Sequence, residues 1–209
     1  MTTAVTARRS ARKAKGDGHL RRAEILTAAE RIFVAEGYEG ATIRKIADEV
    51  GVSSTALYMH FPDKGAILLE ICEASILRLL NQNREIAARP MDPGVRLKDM
   101  LVSYMRWGFE HPNAYQLVFG SSPAVTGVWS EGNASLSAQC YDIFSGVVRE
   151  VTAEGRLRTG DADSASQALW GACHGVVMLA ITRKGRPWAP QAELIEVTLD
   201  GLMNGLVLP

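Results

Sequence analysis

The chain has 209 residues, 47% hydrophobic and 22% charged, with 23 basic and 23 acidic side chains and a formal net charge of zero. That length builds one large domain or two modest ones, and the apolar share excludes a chain disordered throughout. No stretch approaches the ~18 consecutive apolar residues of a membrane span, so no membrane partner is expected.

The N-terminus comes first. Residues 1–22 hold seven basic side chains and one acid, Asp17. Residues 1–18 read as a flexible basic arm. They lack an apolar core segment, so they do not read as a signal peptide. From Leu20 to Glu36, helical spacing sets in, with Ile25, Ala29, Ile32 and Phe33 on one stripe. Gly37 ends that helix as a C-terminal glycine would. Thr42 is a candidate N-cap for a helix in which Ile43, Ile46, Ala47 and Val50 follow i, i+3, i+4, i+7. Gly51 ends it. Ser53 is the candidate N-cap of a third, very short helix. Asp63 can cap a fourth helix running to about Arg89. Pro90, Pro93 and Gly94 mark a break. Longer helices follow over roughly 94–110, 112–120, 133–155, 161–184 and 191–207, with a Ser-, Pro- and Gly-rich loop over 121–132. Internal repeats and strand-type alternation are not evident, and the fold class is all-α.

The segment GVSSTALYMHFPDK, from Gly51 to Lys64, is too short and too polar to be stable alone. Only Val52, Leu57 and Phe61 read as core. Two short helices joined by a tight turn at Gly51 form a helix-turn-helix, whose second helix enters the major groove. Small hydroxyl side chains at its start reach base edges. Tyr58 and His60 then read either as phosphate donors or as packing against the fourth helix. Lys64 reads either as a phosphate ligand at a helix N-terminus or as an ordinary solvated lysine. Charge agrees mildly with a polyanion at this end. Residues 1–64 carry 11 Lys/Arg against 8 Asp/Glu, whereas residues 65–209 carry 12 against 15. The three cysteines, Cys72, Cys140 and Cys173, are far apart and lack C-x-x-C spacing. They fit small core positions in a reducing cytoplasm.

The stretch ILTAAERIFVAEGYEGATIRKIADEVGVSSTALYMHFPDKGAIL resembles the DNA-binding domain of the TetR/AcrR family of bacterial transcriptional regulators, over about residues 21–69. Its motifs are F-x-x-x-G-Y, the Thr-Ile-x-x-Ile-Ala core, G-V-S, L-Y-x-H-F and the following Lys. The resemblance implies that Thr42 contacts phosphate and Arg44 points toward the groove. It implies that Ser54 and Thr55 face base edges, and that Tyr58, His60 and Lys64 hold phosphates. Met59 then offers an apolar contact to a thymine methyl. Farther on, HPNAYQLVF (His111–Phe119) and LWGACHGVVML (Leu169–Leu179) resemble a C-terminal domain named for a Trp-His-Gly signature.

Trp170 and His174 are i, i+4 neighbours. They line a pocket, or His174 is a satisfied core histidine. Tyr104, Trp107, Phe109, Tyr115, Phe119 and Trp129 are core at helical spacing, or in part the wall of an effector cavity. The residues put forward for the ligand are Tyr104, Trp107, Tyr115, Phe119, Trp170 and His174. A metal is not expected, since a second His, Cys or acid at ligand spacing is lacking, and neither is a cofactor. Small residues at 168, 171, 172, 175, 201 and 205 mark the helices over 161–184 and 191–207. By the resemblance these form a homodimer.

The expectation is therefore a basic arm over 1–18, a DNA-binding domain over 19–66, and a ligand-binding and dimerisation domain over 67–209, joined by the helix over 63–89. Its function is that of a cytoplasmic regulator, most simply a repressor. It binds a palindromic operator in double-stranded DNA as a homodimer and is released by a small apolar or aromatic effector. A paired nucleophile and base, or a phosphate loop, is not found, so an enzyme is not expected.

Overall fold

A computed structural model of the chain describes residues 17–120, 131–183 and 185–208, with the side chains of 17–20 and 131–134 left aside. Of the expected basic arm and the expected loop over 121–132, all but four residues lie outside that set, as does Trp129. Those four, 17–18 and 131–132, are helical. The described residues form nine helices: α1 (Asp17–Gly40), α2 (Ile43–Val50), α3 (Ser54–Tyr58), α4 (Lys64–Ala87), α5 (Pro93–Glu110), α6 (Pro112–Phe119), α7 (Glu131–Ala153), α8 (Ala162–Thr182) and α9 (Gln191–Leu206).

The punctuation works as capping chemistry requires. Thr42 accepts from the Lys45 amide, Ser53 from Ala56 and Asp63 from Ala66. Each satisfies one of the amides a helix start leaves unpaired. Gly51 closes α2 at φ 71°, and Gly37 breaks α1 at φ 73°, both in the left-handed region where a side chain is strained. The helical turn after Gly37 explains why α1 reaches Gly40.

The three-helix head closes on Ile25, Phe33, Ile46, Ala47, Leu57 and Phe61, all essentially inaccessible to solvent. α3 has five residues, too few to hold themselves, and is held from outside. Leu57 anchors it below. Arg22 of α1 donates to the His60 carbonyl at 2.6 Å, pairs with Glu70 of α4, and lies 4.0 Å over the Phe61 ring. Arg21 donates to the Val50 carbonyl at 3.2 Å. Two arginines that the sequence counts as part of a basic stretch are thus ties within the head.

α4 belongs to both halves. Its first part buries Ile67, Leu68, Ile71 and Cys72, and its second buries Ile76, Leu79, Leu80, Asn83 and Ile86. It packs on α1 at one end and on α5, α6 and α7 beyond. α6 also touches α1. α8 and α9 pack on α5 and on each other, leaving one side open. On α8 the packed side is Ala165, Leu169, Cys173, Val177 and Ile181. The sequence reading of no membrane-length apolar stretch needs correction here, because α8 is long and apolar enough to cross a membrane by length and composition. Its apolar character comes from a packed stripe plus small residues on the opposite side.

Candidate functional site

Two sites lie at opposite ends of α4. At the head, α3 presents its outer face to solvent. Thr55 is exposed, Ser54 and His60 are half-buried, Tyr58 is 54% exposed and Met59 is 84% exposed. An exposed tyrosine and methionine stand side by side at the end of a helix whose Leu57 is fully buried, open to solvent among the described residues. On α2, Thr42 is spent on its cap and remains exposed. Arg44 projects into solvent, 3.8 Å from Asp48. Lys64, read from the sequence as a phosphate ligand or an ordinary solvated lysine, is partly buried and lies 3.8 Å from Glu39. Its ammonium donates to the carbonyls of Tyr38 at 2.7 Å and Ala41 at 3.3 Å, and sits 4.2 Å over the Tyr38 ring. It pins the corner between α1 and α2, next to Thr42.

At the other end is a cavity of about 500 Å³ between α4, α5, α6, α7 and α8. Of the six residues put forward for a ligand, Tyr104, Trp107, Phe119 and Trp170 line it. Tyr115 and His174 do not. They stand behind Tyr104 in one connected group. Trp170 Nε1 donates to the Tyr104 hydroxyl at 3.1 Å, the two tyrosine hydroxyls are 2.8 Å apart, and the Tyr115 hydroxyl is 2.7 Å from His174 Nδ1. An indole N–H only donates, so the Tyr104 oxygen accepts. The ordering Trp170 to Tyr104 to Tyr115 to Nδ1 of a neutral His174 gives each hydroxyl an acceptor, and the Tyr104 hydroxyl also lies 3.1 Å from Nδ1. Burial lowers the His174 pKa from the ordinary imidazole value, which favours that neutral form. It also raises both tyrosine pKa values. The Tyr115 and His174 rings stack at 5.5 Å. The satisfied-histidine reading therefore describes His174, and Trp170 is the pocket residue of the pair.

Sequence reasoning missed the walls contributed by α4 (Ile76, Leu79 and Asn83) and by α7 (Cys140, Tyr141 and Phe144). One signal was available for α4. Asn83 is a lone amide on the apolar stripe that also carries Ile76, Leu79 and Ile86. The cysteines are all buried and free. Burial pushes the Cys72 and Cys173 thiols up to about 12 and Cys140 up to about 11, so none is a ready thiolate. Among the described residues, no group of three His, Cys, Asp or Glu side chains is placed to hold a metal.

Two family models match the chain. Residues 25–71 match that of bacterial regulatory proteins of the tetR family, and residues 97–202 match the tetracyclin repressor-like C-terminal domain. The chain belongs to the TetR family. The C-terminal match does not assign this TetR-family chain to the Trp-His-Gly subset. Among curated relatives, the transcriptional repressor AcnR of Corynebacterium diphtheriae is 38% identical over 96 residues, 46% of this chain and 44% of that protein. The transcriptional activator FasR of Mycolicibacterium smegmatis is 30% identical over 99 residues, 47% of this chain and 45% of that protein. This chain's match therefore spans under half the length of these two. The nucleoid occlusion factor SlmA of Citrobacter koseri is 28% identical over 153 residues, 71% of this chain and 74% of that protein. Of the solved structures, the ketosteroid regulator KstR2 of Mycobacterium tuberculosis superposes with a TM-score of 0.73 at 22% identity, covering 90% of this chain and 96% of that one. FadR of Bacillus subtilis, in complex with stearoyl-CoA, superposes with a TM-score of 0.71 at 18% identity, covering 88% and 98%. At such identities the likeness shows the fold.

Proposed function

We propose that this TetR-family chain is a cytoplasmic, dimeric, ligand-responsive transcriptional repressor rather than an enzyme. The observation that carries the reading is α4 itself. Its first turns pack on α1, its Glu70 pairs with the Arg22 that also ties down the His60 carbonyl just past α3, and its later turns form a wall of the cavity. α3 is the recognition helix. Ser54 and Thr55 at its start face base edges, Met59 meets a thymine methyl, and Tyr58 and His60 hold phosphates. Thr42 and Arg44 flank the groove. Lys64 acts through the corner it pins, setting Thr42 against the backbone.

One such helix reads too few base pairs for genomic specificity, so two copies act together on a palindrome. α8 and α9 supply the dimer face. A Cβ placed on Gly171, Gly175, Gly201 or Gly205 meets nothing within 4 Å, so these glycines answer no close approach inside the protomer. Exposed Leu179 and Val197 lie on the same two helices. A second copy packing there explains both.

A small, mainly apolar effector in the cavity favours one spacing of the two α3 helices over another. DNA affinity drops by the effector's differential affinity for the two states. The named relatives include a repressor and an activator, and repression is the simpler use of a protein released by its effector.

The test is Met59→Asp. The side chain is exposed and contributes nothing to the fold, so the melting temperature stays put. Placing a carboxylate against phosphates weakens binding to every duplex, by at least about tenfold at low salt. Fluorescence anisotropy on a labelled duplex reads this. Unchanged affinity would remove α3 from the interface.

A further inference from the structure

The cavity wall has two features that together narrow its occupant. Among the described lining residues no side chain is Asp, Glu, Lys, Arg or His. A carboxylate or phosphate brought here would lose its hydration and meet no counter-charge among the described lining residues, at a cost far above what apolar contact returns. The wall also keeps unused hydrogen-bonding capacity at two deeply buried positions. Asn83 on α4 is 7% exposed, and among the described residues its carboxamide makes a single long bond, from Nδ2 to the Cys140 carbonyl at 3.4 Å. Trp107 on α5 is 4% exposed, and its Nε1 has no partner among the described residues. Buried amides and indoles are ordinarily satisfied. The other polar groups of the wall are either spent or less buried, the Tyr141 hydroxyl on a half-buried residue among the latter. Tyr104 and Trp170 are spent on each other and on the Tyr115–His174 pair. Gln167 is exposed and Ser137 half-buried.

We infer that the cavity takes an uncharged, largely apolar molecule with one compact polar group, a ketone or amide carbonyl, and that Asn83 is the residue that recognises it. The carboxamide N–H left free donates to the carbonyl oxygen, while the remaining wall covers rings or an alkyl skeleton. A volume of about 500 Å³ suits a drug-sized molecule. Recognition by Asn83 places a directional contact of the effector on the helix that carries the DNA-binding head. The inference rests on the cavity being the effector site, and it assigns that site its ligand class.

Three probes of one skeleton separate the possibilities: fluorenone, with a neutral acceptor; fluorene, with none; and fluorenecarboxylate, with a charge. Binding is read by quenching of tryptophan fluorescence, since Trp107 and Trp170 line the cavity. The full-length protein should bind fluorenone about tenfold more tightly than fluorene, and the carboxylate about a hundredfold more weakly than fluorenone. Asn83→Leu keeps the volume and removes the amide. It should erase the preference for the ketone while leaving fluorene binding in place. Should that variant not fold, Asn83→Ala is judged by the same ketone-to-hydrocarbon ratio. A ratio unchanged in the folded variant, a carboxylate bound as tightly as the ketone, or binding of none of the three would each overturn the inference. The regulatory reading fails separately, if protein saturated with fluorenone holds duplex DNA as tightly as before.

Discussion

His174 accepts the Tyr115 hydroxyl through Nδ1, and a proton on that nitrogen would turn an acceptor toward a donor already aimed at it. Burial pulls its pKa below the unfolded value of about 6.5. The sign follows. As pH falls past 6.5 the unfolded chain takes up a proton before the folded one does, so stability is complete above that pH and declines below it. The wild-type melting temperature should therefore fall more steeply than that of His174→Gln from about pH 7 to about pH 5, because glutamine has no proton to gain there. Parallel curves would mean that His174 is protonated as readily in the fold as outside it. The same residue shows what a sequence carries at this scale. Its type and its i, i+4 relation to Trp170 were legible. Its partners were not, because Tyr104 and Tyr115 come from two other helices, 70 and 59 positions away.

Helices and their ends were legible because capping is local. Thr42, Ser53 and Asp63 each cap the amide three residues on, and Gly51 turns where a two-turn helix must stop. The cavity wall was legible on α5, α6 and α8, where aromatics stand out. It was not legible on α4 and α7, where the same positions look like ordinary core. Gly108 is a further case. A Cβ there would lie 2.5 Å from Val177 Cγ1 and 2.8 Å from the Tyr115 ring, so α5 approaches α6 and α8 only because that side chain is missing. Gly108→Ala should cost about 1–3 kcal/mol of stability despite alanine's better helix propensity, read as a lowered thermal midpoint. A stabilised variant would show that Tyr115 moves aside freely, and would weaken the case for a fixed Tyr104 wall.

For the whole molecule the open side of α8 and α9 is the decisive surface. Leu179 is 50% and Val197 67% exposed in the protomer, and four glycines beside them front empty space. Replacing both with glutamate should convert the proposed dimer to a folded monomer in sedimentation, and duplex affinity should fall with it, because two half-sites no longer act as one. A variant that remains dimeric would place the interface elsewhere. The measurement that bears most directly on the account is selection of bound duplexes from a random pool, at a stated salt concentration, with protein refolded to strip any bound effector. The account predicts enrichment of a palindrome whose half-sites lie about one helical turn, or a multiple of it, apart. Folded, dimeric protein that enriches no sequence, or enriches a single half-site without its mate, would contradict it.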